Sequence, residues 1–349
     1  MTLNTNAAPP TSRRRPHGHM WLVGLLGVAA GLVLLVYVPT LSLVGRSILL
    51  FAGFHVVGAI VLASSLWASA LRPLARRWMG AEGRAARADR FDFGWGPGWM
   101  NGLAIAGLVG LAAATTLIVT APTLWPLSFL LVALSVVFAV GNLIMRGFRR
   151  VDQAVLPMTD LLSGDHDLIL DAGCGAGRTT VALGRIMKAG RVIGLDRFDA
   201  DYIDDGGRAL FDHNLKIAGL TGRAEAVAGD LTAMPFPDGH FDASASTHVY
   251  DHLGSGKAAA LAETLRVLKP GGRFLMGVWV PGWSMFAVGS VFSLFLTSKA
   301  AWRGMAKSAG FAIVEEDTMN GAWFLLIEKP ASSASAGAGD EVDRRLQTR

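Results

Sequence analysis

Residues 168–177 read LILDAGCGAG. Three aliphatic residues suit a strand buried on both faces. They are followed by an acid, Asp171, and by glycines at 173, 175 and 177. A chain that leaves a buried strand, turns sharply and enters a helix needs residues that tolerate positive φ and let the backbone approach a ligand, and glycine does both. The spacing predicts a strand over Leu168–Leu170 and a helix over Thr179–Met187. The helix N-terminus would then aim backbone N–H groups at a bound molecule. A dinucleotide fingerprint requires G-x-G-x-x-G. Here the third glycine comes one residue early, at 177, and Arg178 stands in the expected place. The loop alone is also compatible with a purely structural strand–turn–helix.

Downstream, short aliphatic runs alternate with helical stretches. Arg191–Leu195, Ala224–Ala228, Phe241–Ser246 and Arg273–Val278 read as strands, with helices around Leu210–Ala218 and over Ala258–Leu268. Such alternation predicts a parallel sheet with right-handed crossovers. Phe311–Val314 and Trp323–Ile327 read as two more strands joined by a turn at Asn320-Gly321, which makes seven. Asp196 closes the second strand and Asp230 follows the third, in GDLTAMPF. Asp171, Asp196 and Asp230 therefore all fall at carboxyl ends of strands, the edge at which open parallel sheets bind ligands. An acid after the second strand can accept from both ribose hydroxyls, and one after the third can accept from an adenine amino group.

LILDAGCGAG, then GLD, then AGDLTAMPFPDGHFDASAS, then LRVLKPGGRFLM together resemble the successive motifs of class I S-adenosylmethionine-dependent methyltransferases. The resemblance covers about residues 155–329. It implies S-adenosylmethionine as cofactor, with Asp171, Gly173, Gly175 and Gly177 around its methionine part. By the same resemblance Asp196 would hold the ribose with Arg197 alongside the adenine, Asp230 and Leu231 would read the adenine edge, and Ser246 and Thr247 would lie beside the sulfonium. LKPGG resembles the family's structural turn into the fifth strand.

The stretch THVYDHLG at 247–254 follows the fourth strand. A protonated acceptor benefits from a general base, and His248, Tyr250 and His252 are the candidates for acceptor contacts. In this family a similar stretch starts a helix that touches the cofactor and packs, so Asp251-His252-Leu253 also has a structural reading. Residues 276–298 form 23 uncharged positions, long enough to span a bilayer. A span there would leave the last two strands on the wrong side of the membrane. Gly282–Thr297 is therefore expected to be an apolar helix that caps the acceptor site, lies at the membrane surface or packs as an ordinary core helix.

The first 150 residues have another character. The chain has 349 residues, 52% of them hydrophobic, with mean hydropathy +0.41. Residues 1–150 hold thirteen Arg, no Lys and three acids, while the remainder carries nineteen basic and twenty-four acidic side chains. The basic residues lie between apolar runs rather than on one face, which argues against nucleic acid as partner. Four uncharged runs, Met20–Gly45, Ser47–Leu71, Gly94–Pro122 and Thr123–Met145, each meet the roughly 20 residues of a membrane span. Pro39 should end the first early, and Pro122, Trp125 and Pro126 mark a turn between the third and fourth.

Arg13–Arg15, the six Arg of 72–90, and Arg146, Arg149 and Arg150 fall on one side, with Arg46 opposite. This pattern predicts both ends in the cytoplasm. A cleaved signal peptide would also explain the basic start, but the run is long, lacks a small-x-small cleavage site and precedes three more. The Arg of 72–90 would suit anionic headgroups, although topology accounts for them. His55, Asn101 and Asn142 lie inside spans, as functional groups or interhelical hydrogen-bond partners. A lone cysteine, Cys174, excludes an internal disulfide and a multi-thiolate metal site, and no metal is expected.

The expected architecture is an N-terminal α-helical transmembrane bundle of four spans plus an α/β Rossmann-like methyltransferase domain with a mostly parallel seven-stranded sheet. The boundaries are a cytoplasmic tail over 1–19, spans over 20–150, the methyltransferase domain over 151–330 and a disordered tail over 331–349. The expected activity is methyl transfer from S-adenosylmethionine to a small apolar acceptor (quinone-like, polyprenyl or phospholipid headgroup) at the bilayer of a bacterial plasma membrane. A soluble acceptor, with the anchor serving location, and a cofactor-binding sensor or assembly subunit without turnover are the alternatives.

Overall fold

The computed structural model describes residues 19–49, 51–53, 90–94, 97–148, 161, 164, 167–187, 189–199, 207–319 and 321–331. The expectations for both tails, most of the second apolar run, His55, the Arg of 72–87, and Arg149 and Arg150 lie outside these residues. The chain divides into two compact units. One comprises Met1–Ala154, Phe198–Ile217 and Trp279–Thr297; the other comprises Val155–Arg197, Ala218–Val278 and Ser298–Arg349.

The second unit is built on a seven-stranded sheet of order β3-β2-β1-β4-β5-β7-β6. The strands are β1 Leu168–Ala172, β2 Arg191–Asp196, β3 Ala224–Ala228, β4 Phe241–Thr247, β5 Leu268–Val278, β6 Ala312–Met319 and β7 Ala322–Glu328. The five from β3 to β5 pair in parallel, whereas β7 runs antiparallel to both β5 and β6. The sheet is thus mixed, as the run of strands implies. Ile169, Leu170 and Ala172 are fully buried, the continuous pattern of a central parallel strand covered on both faces. The crossovers from β1 to β3 move one way and those from β4 to β5 the other. The switch point therefore lies between β1 and β4, and there the carboxyl ends open a crevice.

Helices Lys257–Val267 and Lys299–Ala309 pack on each other in this unit. Trp302 of the second is wholly buried, with the Lys257 ammonium 5.5 Å above its ring. LKPGG is not a simple turn. Leu268 already pairs with Phe241, and an irregularity follows before Arg273 meets Ala243. β6 ends the sheet, and Glu315, Glu316 and Asp317 charge it against edge-to-edge pairing. At the other end of the β6–β7 hairpin, Gly321 carries φ +80°.

The first unit is helical. Helix His19–Tyr37 stops at Val38, a short 3-10 turn covers Pro39–Leu41, and helical residues resume at 42–49 and 51–53. The first apolar run is therefore one helix, a turn and the start of another, rather than one span. A proline at 39 has no N–H to continue the ladder. The third and fourth runs fold as helices Pro97–Thr120 and Trp125–Phe148, joined by a turn at Pro122–Leu124. Two helices, within Asn101–Thr120 and Pro122–Arg146, are long and apolar enough to cross a membrane among the described residues, against the four expected.

Their outer surface differs from that of a soluble hairpin. Leu108, Val119, Phe129, Val136 and Leu143 point outward and are more than half exposed, while Ser128, Ser135 and Asn142 are buried. A Cβ on Gly110 would collide with the Ser135 hydroxyl, so small residues bring the two backbones together. Ser135 instead donates to the Leu131 carbonyl at 2.8 Å, which closes its hydrogen bond inside its own helix.

A further tie in this unit joins the segment before the hairpin to helix Arg208–Ala218. The Asn214 carboxamide accepts from the Asp92 N–H at 2.9 Å and donates to the Asp92 carbonyl at 2.8 Å. His213 Nε2 lies 3.1 Å from the Arg90 carbonyl. Asn214 is fully buried, so each lost bond would strand a desolvated polar group at a cost of roughly 1–3 kcal/mol. In Asn214→Leu the Asp92 amide should exchange its hydrogen much faster than in the parent protein, measured by hydrogen–deuterium exchange in detergent. An unchanged rate would show that the tie is not made in solution.

Candidate functional site

The glycine loop takes the form its residues require. Gly173, Gly175 and Gly177 have φ of +85°, +46° and +85°, values a side chain rarely tolerates. A Cβ on Gly173 would lie 2.5 Å from Val249, so the loop is pressed against the chain leaving β4. The Gly173 and Cys174 N–H groups donate to the Leu195 carbonyl at 2.7 and 3.2 Å. Gly177 caps helix Arg178–Ile186 in the left-handed conformation.

Asp171 is completely buried at the end of β1. One carboxylate oxygen accepts from the Thr180 hydroxyl at 2.5 Å; the other, Oδ1, is buried with no hydrogen-bond partner. Desolvation pushes its pKa up to about 7 against the pull of Thr180, and the Asp196 charge adds to the rise. Holding it ionised in this setting costs on the order of 4 kcal/mol. A buried carboxyl with one idle oxygen, at the mouth of a glycine loop, fits a cationic ammonium such as that of the methionine part of S-adenosylmethionine.

Asp196 stands at the tip of β2. Its Oδ2 accepts from the Gly175 N–H at 2.9 Å, which fixes the carboxylate against the loop. Its backbone carbonyl receives the Gly229 N–H at 2.9 Å, and this draws the end of β3 alongside. Asp230 follows, its Oδ1 held by the Thr232 N–H and hydroxyl, both at 2.7 Å. Desolvation opposes its ionisation, but the Thr232 bonds and the Arg197 guanidinium hold it below the usual carboxylate range. Arg197 and Asp230 are 3.9 Å apart, so the two expected adenine-edge residues do meet. Leu231 is buried.

The rest of this loop is clamped from helix Lys257–Val267. Arg266 donates to the Phe236 carbonyl at 2.8 Å, the Met234 carbonyl at 3.1 Å and the Asp238 carboxylate at 2.8 Å. Glu263 accepts from Arg266 and from the Met234 N–H, both at 2.7 Å. A planar guanidinium holds several carbonyls at fixed angles in a way lysine cannot.

At the end of β4 the expected residues part company. The Ser246 hydroxyl is buried and donates to the Ala172 carbonyl at 2.6 Å; it ties β4 to β1 rather than facing a ligand. Thr247 reaches the edge and shares a 2.6 Å hydrogen bond with Thr179. His248 follows at φ +60°, a backbone strain typical of functional turns, and its N–H donates to the Gly277 carbonyl at 2.8 Å. Desolvation of the imidazole, then the charges of Arg178 and His252, pull its pKa down to about 3. Tyr250 is fully buried, its hydroxyl 2.5 Å from the Thr264 hydroxyl and its ring 5.2 Å from Phe274. It is part of the core, because the 3-10 turn Tyr250–His252 directs it inward. His252 stays largely exposed, 3.7 Å from the Asp251 carboxylate.

Sequence reasoning passed over Thr179, Thr180 and Val249, which hold Thr247, Asp171 and Gly173 in turn. The signal available was the Thr-Thr pair in the first turn after Gly177, where short hydroxyls reach back to the strand ends. Arg178, which stands where a dinucleotide fingerprint has glycine, also brings a charge to the loop. Its guanidinium is desolvated, which pulls its pKa below the usual arginine range, and its charge acts on His248.

Residues 170–276 match the model of a methyltransferase domain family. Over 143 residues the chain is 32% identical to a sterol 24-C-methyltransferase of Eremothecium gossypii, covering 41% of this chain and 36% of that one. It is 34% identical over 109 residues to a ubiquinone/menaquinone biosynthesis C-methyltransferase of Shewanella pealeana, covering 31% and 41%. A fatty-acid O-methyltransferase of Mycolicibacterium smegmatis is 39% identical over 110 residues, covering 31% and 35%. The chain thus spans less than half the length of each of these relatives.

The raised pKa of Asp171 has a sign. A carboxyl that titrates near 3.8 when unfolded and near 7 when folded contributes stability in full below the lower value, and loses it as pH rises through the upper one. Thermal unfolding of the free protein should show this decline between about pH 4 and 7. Asp171→Asn should remove that part of the slope; parallel curves for the two proteins would show that the carboxyl is not buried as described.

Proposed function

We propose that the chain, whose residues 170–276 match the model of a methyltransferase domain family, is a membrane-anchored enzyme that methylates a small, lipid-soluble acceptor from S-adenosylmethionine. The observation that carries the anchoring is the surface of the hairpin, with its outward Leu, Val and Phe, while Ser128, Ser135 and Asn142 are buried along with Leu103, Ala106 and Phe138. In water such a surface would be a large aggregation-prone patch. In hydrocarbon it is the expected arrangement. Arg90 precedes the hairpin, Arg146 ends it, and the turn at 121–125 carries no charge, a pattern that supports a cytoplasmic side for both ends. Three relatives are named for sterol, quinone and fatty-acid methylation, and those names support an apolar acceptor here.

S-adenosylmethionine supplies a methyl group on a positively charged sulfur, open to in-line attack. Asp171 Oδ1 is suited to its ammonium, and the backbone of Gly173–Gly177 to the remainder of its methionine part. Asp196, already oriented by the Gly175 N–H, accepts from the ribose hydroxyls. Arg197, Asp230 and Leu231 line the adenine side. Thr247 and the backbone of Ser246 would border the sulfonium, and His248 and His252 would be the candidates for acceptor contacts.

With its pKa near 3, His248 stays neutral at physiological pH and acts as a hydrogen-bonding group rather than as a proton acceptor of useful basicity. Catalysis then rests mainly on positioning, which alone can supply a large part of the barrier reduction.

Membranes incubated with the protein and radiolabelled cofactor should yield label in the organic extract. Label confined to water-soluble product would make the acceptor soluble, and tight cofactor binding with no turnover on any membrane extract would make the protein a sensor. Asp196→Ala should weaken cofactor binding at least about tenfold by calorimetry, the scale of a lost charge-assisted hydrogen bond; unchanged affinity would misplace the ribose. The pH profile of kcat/KM should show no ionisation of His248 between pH 5 and 8, and a break there abolished by His248→Gln would restore it as a base.

A further inference from the structure

Residues 279–297 belong to the same compact unit as the hairpin. Helix Trp283–Gly289 and the 3-10 segment Ser290–Phe295 lie in a stretch without a single charged side chain from 276 to 298. The first of them packs on helix Trp125–Phe148. Val288 packs against a cluster of Leu103, Ala106 and Phe138, which Leu134 and Met145 also join. A Cβ on Gly141 would collide with the Ala287 carbonyl, so the two backbones touch. Leu103 and Ala106 lie near the start of one hairpin helix, and Phe138, Gly141 and Met145 near the end of the other. The contact is therefore made at the end of the hairpin that carries Arg146.

Met285 and Ala287 are buried, yet Trp283 is 88% exposed, Leu294 70% and Phe295 75%. Three large apolar side chains on one uncharged segment are thus presented outward. Their depth follows from the hairpin. Gly141 precedes Arg146 by five residues, about 7.5 Å along a helix axis. If Arg146 sits at headgroup level, the Gly141 contact lies at the boundary between headgroups and acyl chains. Interfacial helices bury their apolar faces roughly 5–10 Å into that boundary, and tryptophan is enriched there.

We propose that residues 282–297 form a membrane-surface element, docked on the hairpin through Gly141 and Val288, whose partner is the lipid surface itself. Trp283, Leu294 and Phe295 enter the boundary between headgroups and acyl chains. Because the segment carries no charge, it is held by apolar burial and requires no anionic lipid. This inference rests on the membrane-anchored reading above and adds a second point of contact with the bilayer, in the segment between β5 and helix Lys299–Ala309.

The test uses the full chain in phosphatidylcholine vesicles. An environment-sensitive fluorophore is placed in turn on Trp283→Cys, Phe295→Cys, Leu108→Cys and Lys307→Cys; Cys174 is buried, and the unsubstituted protein supplies the background. Lipids carrying a nitroxide near the headgroup or near the chain end then report depth. Labels at 283 and 295 should be quenched about threefold more by the shallow nitroxide than by the deep one, as expected of interfacial groups. The label at 108 should show the reverse, and that at 307 should respond to neither. Quenching at 108 with none at 283 and 295 would overturn this inference and leave the anchor standing. No quenching at 108 would overturn both. Gly141→Leu should reduce shallow quenching at 283 while leaving 108 unchanged; undiminished quenching at 283 would refute the docking contact.

Discussion

Asp171 is shut away from water where β1 gives way to the glycine loop, and the surrounding strand ends are arranged about that fact. A lone buried carboxylate is expensive, and the chain answers through Thr180, by its hydroxyl and its backbone N–H. For Thr180 to arrive, helix Arg178–Ile186 must begin immediately after Gly177, so the loop can hold no more residues than it does. For the loop to be that short, its three glycines must turn in the left-handed region. The neighbouring β2 then receives two loop N–H groups on the Leu195 carbonyl and a third on the Asp196 carboxylate. The same first turn sends Thr179 across to Thr247 on β4. One tight connection thereby couples three strand ends and leaves one carboxylate oxygen unsatisfied.

How much of this was legible in the chain depended on whether the information was periodic. The central strands were readable because burial on both faces leaves an unbroken aliphatic run, as in Leu168–Leu170, and the loop was readable because positive φ selects glycine. Side-chain direction at the end of β4 was not. Ser246, Thr247, His248 and Tyr250 are all polar and lie within five positions, yet the strand's alternation and the 3-10 turn that follows send Ser246 and Tyr250 inward and leave Thr247 and His248 at the edge. Polarity marks a residue as a candidate; only the backbone path decides which way it points. The Asn214–Asp92 pair, 122 residues apart, leaves no local trace at all, since Asn on a helix and Asp in a loop are each ordinary.

The apolar N-terminal half shows a related limit. Hydropathy counts apolar residues but does not see where a helix ends, so a run containing Pro39 passes the same test as an uninterrupted one. What distinguishes Pro97–Thr120 and Trp125–Phe148 is the way they pair. Gly110 against Ser135 is a contact that gains little from excluding water, since neither group is strongly apolar. It gains from close backbone approach, which matters when the surroundings are as apolar as the side chains themselves. The outward Leu108, Phe129 and Leu143 would be a liability on a water-soluble hairpin and are unremarkable in lipid.

The electrostatics of the edge suit an acceptor that brings no charge of its own. Two of the three carboxylates at the strand ends are already engaged, Asp196 by the Gly175 N–H and Asp230 by Thr232 and Arg197, while Asp171 keeps one oxygen without a hydrogen bond. On the acceptor side, His248 is kept neutral by desolvation, to which the neighbouring Arg178 charge adds. Such a wall does not select for a cationic acceptor, because the nearby charge is positive, and it offers no strong base to activate a reluctant one. On the reading proposed above, it instead suits an uncharged acceptor whose nucleophilic atom already has enough electron density, such as an electron-rich ring carbon. Holding that atom in line with the methyl group then becomes the main task, and a strained, hydrogen-bonded turn at His248 is a rigid place from which to do it.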